Sequence, residues 1–138
     1  MVNAAVEGRI RLDGVGFEMS TATVWRTLVV GDNCIVAIAG TNDSCGCVAR
    51  FDKCAYSIDG IKWIEGTIYL NNWSDATYGN GRFVAVAGAL NNNYRSNGAY
   101  SNDGINWQSM TIPTSAPWLS VEYGNGRFVA VGGTNIAL

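Results

Sequence analysis

The amino-acid sequence predicts an all-β protein built from three copies of one four-stranded unit, and three patterns lead to this fold class. Residues 78–86 recur without change as residues 123–131, 45 positions later. Residues 55–63 recur 44 positions later, as residues 99–107, with two differences. A tryptophan opens each copy, at positions 25, 73 and 118. Identity over nine consecutive residues indicates true internal repetition.

A diverged version of the first segment lies at residues 30–38, 48 positions before residues 78–86. All five tryptophans therefore fall on two positions of the repeat. A period of 44 to 48 residues matches the length of a four-stranded β-propeller blade. The sequence thus predicts a single propeller domain with full blades at residues 25–72 and 73–117 and a half blade at 118–138.

The strands of one blade can be placed in residues 73–117. The first strand runs over 73–78, and the turn Gly79-Asn80-Gly81 follows, because Asn-Gly accepts the positive φ angles of a tight hairpin. The second strand, 82–87, is apolar on both faces, as expected of a sheet packed between two others. The third strand is expected at 98–101, and a turn at Asp103-Gly104 leads into the fourth at 107–112.

The beginning of the chain resembles the second half of a blade. Residues 10–17 align with residues 100–107, so that Asp13-Gly14 takes the turn and Phe17 takes the tryptophan position. Residues 1–24 are therefore predicted to supply strands three and four of the half blade that residues 118–138 begin. A blade shared between the termini leaves no unpaired sheet edge.

The number of blades predicts self-association. Propellers typically contain four to eight blades, so three in one chain are too few to close a ring. Two chains would supply six blades, and we expect a homodimer in which each C-terminal half blade is completed by the partner's N-terminal half. The alternative is a compact monomer of three sheets.

The composition argues against several classes of binding partner. The formal net charge is −2, and the Arg and Lys residues are scattered singly, which argues against nucleic acid and against an anionic membrane surface. The longest apolar stretches are too short to span a bilayer. The first residues lack the pattern of a secretory signal. We expect synthesis in the cytoplasm and a final location in a virion or another extracellular assembly.

The pattern Ser57-x-Asp59-Gly60-x-x-Trp63, repeated around Asp103, resembles the Asp-box or BNR repeat, although it is one residue shorter than the usual form. Together with residues 78–86 it is similar to propeller repeats of phage tail and virion proteins and of large bacterial proteins. The resemblance covers nearly the whole chain. It implies the fold, and it implies that Asp13, Asp59 and Asp103 cap structural turns by accepting backbone N–H groups.

Asp-box propellers include sialidases, so a glycosidase function has to be weighed. Such a site needs three arginines, a tyrosine nucleophile with a glutamate partner, and an acidic residue as acid/base. Here Arg82 and Arg127 are repeat positions, expected at strand edges, and the chain is too short for the usual insertions. The chain has no histidine, which removes Ser–His and Cys–His catalysis. We therefore predict a non-enzymatic protein without catalytic residues, cofactor or metal.

The four cysteines all lie in the first full blade and are absent from the second. Three interpretations remain open. Cys54 could form a disulfide with Cys45 or Cys47 and clip the long loop between the second and third strands. The thiols could instead be free, or Cys34 could join the other three in a zinc site, although Cys-x-Cys is not the usual zinc spacing.

The connections between strands two and three and between strands four and one are expected on one face of the domain, and they differ between units while the strands do not. One of them is rich in amides, which suit sugar hydroxyls, and Tyr94 offers a stacking surface. The alternative is that asparagines simply favour turns. The predicted ligand-binding residues are Asn91, Asn92, Asn93, Tyr94, Arg95 and Asn97.

The predicted function is a non-enzymatic interaction module of a phage or related assembly, for glycan attachment or protein docking. A purely structural role, capping or decorating a shell, is the alternative.

Overall fold

The prediction of an all-β fold is confirmed. The structure, a computed structural model, describes residues 24–40, 53–68, 72–88, 97–113, 116–133 and 135–137, and within these ranges the secondary structure consists of strands and turns without a helix. The strands form three antiparallel sheets that follow one another along the chain. Residues 1–23 of the predicted N-terminal half blade, including Asp13 and Phe17, lie outside the described residues, and Val24 begins the first strand of the first sheet.

Each sheet is a meander of consecutive strands. The first sheet contains β1 (Val24–Val30), β2 (Ile35–Gly40), β3 (Lys53–Ser57) and β4 (Ile64–Thr67). The second contains β5 (Trp73–Gly79), β6 (Arg82–Ala87), β7 (Asn97–Ser101) and β8 (Gln108–Thr111). The third contains β9 (Ser120–Gly124), β10 (Arg127–Gly132) and β11 (Asn135–Ala137), with β10 in the middle.

The hairpin between β5 and β6 forms where the sequence predicts it. Asn80 has a φ of 49° and Gly81 a φ of 71°, and the repeated turn before β10 has φ values of 50° at Asn125 and 77° at Gly126. Both residues of each turn thus adopt the left-handed conformation that a two-residue hairpin requires. The predicted strands of the second sheet differ from the observed ones by no more than one residue at either end.

Strand β11 is a feature that the sequence analysis does not predict. It pairs antiparallel with β10 and places Ala137 opposite Ala130, just as β7 places Ala99 opposite Ala85 of β6. Residues 135–137 thus take the place of a third strand, although only two strands are expected after Trp118. The segment is too short to show an alternating pattern, and only residues 133 and 134 separate it from β10, whereas a long loop precedes β7.

The second sheet lies between the other two. Phe83 and Ala85 of β6 pack in the cluster shared with the first sheet, while Val84 and Val86, on the opposite face of the same strand, pack against the third. This arrangement explains why β6 is apolar on both faces. The first strands of the three sheets are neighbours in space, because β5 contacts both β1 and β9.

The tryptophans pack in apolar clusters, three of them between sheets and two within the first sheet. Trp73 and Trp118, which open the second and third units, are almost completely buried, and Trp63 is buried as well. Trp25 and Trp107 are partly buried against apolar clusters. The two repeat positions therefore serve the core.

Candidate functional site

The predicted ligand loop cannot be placed residue by residue. Asn91, Asn92, Asn93, Tyr94 and Arg95 lie outside the described residues, and Asn97 is described only as the first residue of β7. The strands on either side do fix where the loop leaves the sheet. Because β5 to β8 alternate in direction, the end of β6, the start of β7 and the end of β8 lie at the same end of the sheet along the strand direction. The connections 88–96 and 112–119 therefore leave from one end of the domain, which we call the loop end.

The opposite end of each full sheet carries an aspartate turn. Asp59 Oδ1 accepts the backbone N–H groups of Ile61 and Lys62, each at 2.8 Å, and Ser57 Oγ accepts the N–H of Gly60 at 2.8 Å. These bonds satisfy backbone donors that the turn leaves without a strand partner.

The same turn recurs around Asp103, whose carboxylate accepts one hydrogen bond more than that of Asp59. Asp103 Oδ1 accepts the N–H groups of Ile105 and Asn106 at 2.8 Å, and Oδ2 accepts the side-chain amide of Asn106 at 2.7 Å. Burial raises the pKa of Asp103, but the hydrogen bonds to its carboxylate more than offset this, so the pKa lies well below its usual range. The turn thus holds Asp103 in its charged form.

The first strands of the three sheets are joined by one carboxylate. Asp75 on β5 accepts a hydrogen bond from Thr27 Oγ1 of β1 at 3.3 Å through Oδ1. Its other oxygen, Oδ2, accepts from Ser120 Oγ of β9 at 2.7 Å and from the N–H of Val121 at 3.0 Å. Thr27, Asp75 and Ser120 occupy the same repeat position, so this position lines the contact of each sheet with the next.

The outer face of the first sheet, which we call the first end face, has exposed apolar residues on β1 beside a buried apolar cluster that includes Trp63. Leu28 on this face is 63% exposed and Val30 is 68% exposed. The counterparts of Leu28 in the second and third sheets, Ala76 and Val121, are only 8% and 2% exposed because the preceding sheet covers them. The first end face is thus a sheet surface of the kind that the other two sheets bury.

The outer face of the third sheet, the second end face, shows the reverse contrast. Val131 on this face is 44% exposed, whereas its counterparts Ile38 and Val86 are 0% and 1% exposed because the following sheet covers them. The two end faces are therefore the two halves of the same kind of interface, each without its neighbour among the described residues.

The repeat position occupied by Gly31, Gly79 and Gly124 shows the same loss of a neighbouring sheet at the second end face. A Cβ built on Gly31 would lie 2.3 Å from Cζ of Phe83, and one built on Gly79 would lie 2.0 Å from Cγ of Tyr123. In each case an aromatic ring of the following sheet fills the space that a side chain would need. At Gly124, the third copy of this position, no atom of the described residues lies within 4 Å of the added Cβ.

A groove of about 520 Å³ lies between the second and third sheets. Its walls are mostly apolar and include Val86, Tyr100 and Met110 of the second sheet and Phe128 of the third. Arg82 and Arg127, which begin β6 and β10, also line it. Arg82 Nε donates to Asn102 Oδ1 at 3.1 Å, and its guanidinium lies 4.8 Å above the ring of Tyr100. Sequence reasoning missed this groove because no single segment contains its walls.

Two of the four cysteines are described, and both are buried free thiols. Cys34 Sγ donates to the carbonyl oxygen of Asp103 at 3.3 Å, which connects the turn between β1 and β2 to the second sheet. Burial is the main cause that raises the pKa of Cys54 to about 12. Cys45 and Cys47 lie outside the described residues, so a disulfide with either stays a prediction. Among the described residues no group of three or more His, Cys, Asp or Glu side chains is placed to hold a metal ion.

Comparison of the chain with protein-family models and with curated proteins gives no match. Within the described ranges, no helix has the length and apolar character needed to cross a bilayer.

Proposed function

We propose that this protein is a non-enzymatic interaction module: a β-propeller scaffold, closed by two copies of the chain, whose loop end docks a glycan or another protein of a virion-like assembly. The observation that carries the proposal is the pair of end faces. Repeat positions that are buried inside the chain, such as those of Ala76 and Val86, are exposed where the series of sheets stops, at Leu28 and Val131.

Exposed apolar sheet faces of this kind mark interaction surfaces in soluble proteins. The first end face is equivalent to the surface that the second sheet presents to the first. The second end face is equivalent to the surface that the second sheet presents to the third. A head-to-tail contact between copies would therefore repeat the packing already present twice in the chain, and two copies would give six blades, within the usual range of four to eight.

The loop end suits a docking surface because its connections differ in length and sequence between units that share one strand plan. Asn91, Asn92, Asn93, Tyr94, Arg95 and Asn97 are the residues that we propose for ligand contact. A closed pair would present two copies of this loop, so that weak binding at each site would be strengthened by avidity.

The assembly is tested by light scattering on the full chain and on two variants. The wild type should have twice the mass of one chain, and Leu28→Asp should reduce it to that of a single chain by placing a charge on the first end face. Ile58→Asp is the matched control: Ile58 is 77% exposed, lies on a turn, and has Asn102 as its counterpart, so a polar residue is already accepted there. A wild type that is a cooperative monomer contradicts the closed pair.

The docking function is tested with a broad glycan array and with assembled particles of candidate hosts. A variant combining Asn92→Ala, Asn93→Ala and Tyr94→Ala should lose glycan binding, because each change removes contacts worth about 1–3 kcal/mol. Binding of the wild type to a particle but to no glycan would favour the structural, shell-decorating role. Equal glycan binding by the wild type and the variant would exclude this loop as the receptor site.

A further inference from the structure

We propose that residues 17–22 of a second copy form the fourth strand of the third sheet. This strand would pair with β11, and Phe17 would pack in the groove between the second and third sheets. The inference rests on the two-copy assembly proposed above and names the segment that completes the third sheet.

The corresponding space between the first and second sheets shows what the groove lacks. There, Trp107, which immediately precedes β8, packs into the shared apolar cluster, with its ring 6.4 Å from that of Phe83. Phe128 is the counterpart of Phe83 in the third sheet and lines the groove. The third sheet has no counterpart of Trp107 among the described residues, and the groove lies where that side chain would pack.

The third sheet needs only one more strand, because β11 already takes the third place. The register of β11 puts Ala137 where β7 has Ala99, a residue that is 0% exposed. If the N-terminal segment supplied the third strand in the alignment of residues 10–17 with 100–107, Arg9 would occupy that buried position. Burying an unpaired guanidinium is strongly unfavourable, so β11 is the better third strand.

Residues 17–22 are the segment that the repeat aligns with the fourth strand. They align with residues 107–112, with Phe17 at the position of Trp107. β8 pairs Met110 with Gly98, and β4 pairs Gly66 with Cys54, so each full sheet has a glycine in this pair. The alignment brings Ser20 to the position of Met110, opposite Ile136, and thus keeps one small residue in the pair.

The lengths of the connections identify the source as a second copy. Trp63 and Trp73 are 10 positions apart, Trp107 and Trp118 are 11 apart, and each of these connections joins neighbouring sheets. Phe17 and Trp25 are only 8 positions apart, so the sheet that contains Phe17 should be a direct neighbour of the first sheet. Within one chain the second sheet separates the first from the third, and the neighbour must therefore be the third sheet of another copy.

The test is photo-crosslinking in the full-length protein. Benzoylphenylalanine replaces Met110, which lines the groove, or Ser109, which points to the opposite face of β8 and serves as the control. Equal amounts of unlabelled and ¹⁵N-labelled chains are mixed in denaturant, refolded together, irradiated and digested. Melting curves of both variants establish that they fold.

The expected result is a crosslink from position 110 to residues 17–22, with peptide pairs of mixed label, and at least tenfold less of it from position 109. Crosslinks to residues 17–22 that carry one label only would overturn the second copy as the source. Crosslinks from position 110 to other residues, or equal yields from both positions, would show that residues 17–22 do not lie in the groove. If light scattering still shows a two-copy particle, only this inference fails; a single-chain mass means that the proposed assembly fails with it.

Discussion

At the scale of single residues, the two aspartate turns show how one motif can differ in its hydrogen bonding. Asp59 and Asp103 each accept two backbone N–H groups through Oδ1, but only Asp103 has a side-chain amide, that of Asn106, on its second oxygen. The counterpart of Asn106 is Lys62, which has no amide to donate. The turn in the second sheet is therefore the more tightly bonded of the two.

Replacing Asp103 by alanine should lower the free energy of unfolding by about 1 kcal/mol, the typical cost of losing a side chain that caps backbone donors. Denaturant unfolding of wild type and variant measures the difference. Asp59→Ala is the matched control and should cost less, because it lacks the bond to residue 106. A larger loss for Asp59→Ala would contradict this ranking.

The same carboxylate should make stability depend on pH. The pKa of Asp103 is lowered in the folded protein, whereas an unfolded aspartate titrates near 3.9, so its contribution to stability is complete above about pH 4 and is lost as the pH falls through the folded-state pKa. The difference in melting temperature between wild type and Asp103→Asn should therefore be constant at neutral pH and shrink under acid conditions. A difference that grows on acidification would show that the carboxylate is not stabilised in the folded state.

At the scale of strands and sheets, the repeat determined what could be predicted. Strands β5 to β8 lie close to their predicted positions, and the hairpin residues Asn80-Gly81 end β5 at a definite point. The short β11 has no such pattern. The sequence also does not predict that Asp75 connects neighbouring sheets. The same repeat position holds Thr27 and Ser120, and three different residue types do not indicate a common contact.

Asp75 should be important for holding the sheets together. Its carboxylate accepts from Thr27 on one side and from Ser120 and Val121 on the other. Asp75→Ala should lower the free energy of unfolding by about 1–3 kcal/mol, because hydrogen bonds to a charged group are lost between both pairs of sheets. Asp75→Asn keeps one acceptor oxygen and should lie between the two. Thermal unfolding of the three proteins checks the order, and an alanine variant as stable as the wild type would show that the bonds contribute nothing.

At the scale of the whole molecule, the packing of sheet on sheet is directional. Each sheet offers one face to its predecessor and a different face to its successor, as the two sides of β6 show: Phe83 and Ala85 on one, Val84 and Val86 on the other. A chain of such units has two unlike ends that are complementary to each other. The sequence could predict this number of units, but not the groove or the exposed residues, which depend on how neighbouring sheets pack.

A substitution at Gly124 tests the assembly without disturbing the fold of the chain. At the same repeat position, Gly79 has no room for a side chain because Tyr123 fills the space, whereas a Cβ on Gly124 meets no described atom within 4 Å. In the proposed pair, the first end face of the partner would fill this space with the counterpart of Tyr123, which is Val30. Gly124→Phe should therefore leave the chain folded, with the sheet signal of the wild type in circular dichroism, but reduce the mass in solution to that of one chain. Gly79→Phe, the matched change inside the chain, should prevent folding because the ring of Tyr123 has to be displaced from a packed interface. If Gly124→Phe keeps twice the mass of one chain and the melting temperature of the wild type, the second end face is not covered in solution and the two-copy ring is wrong.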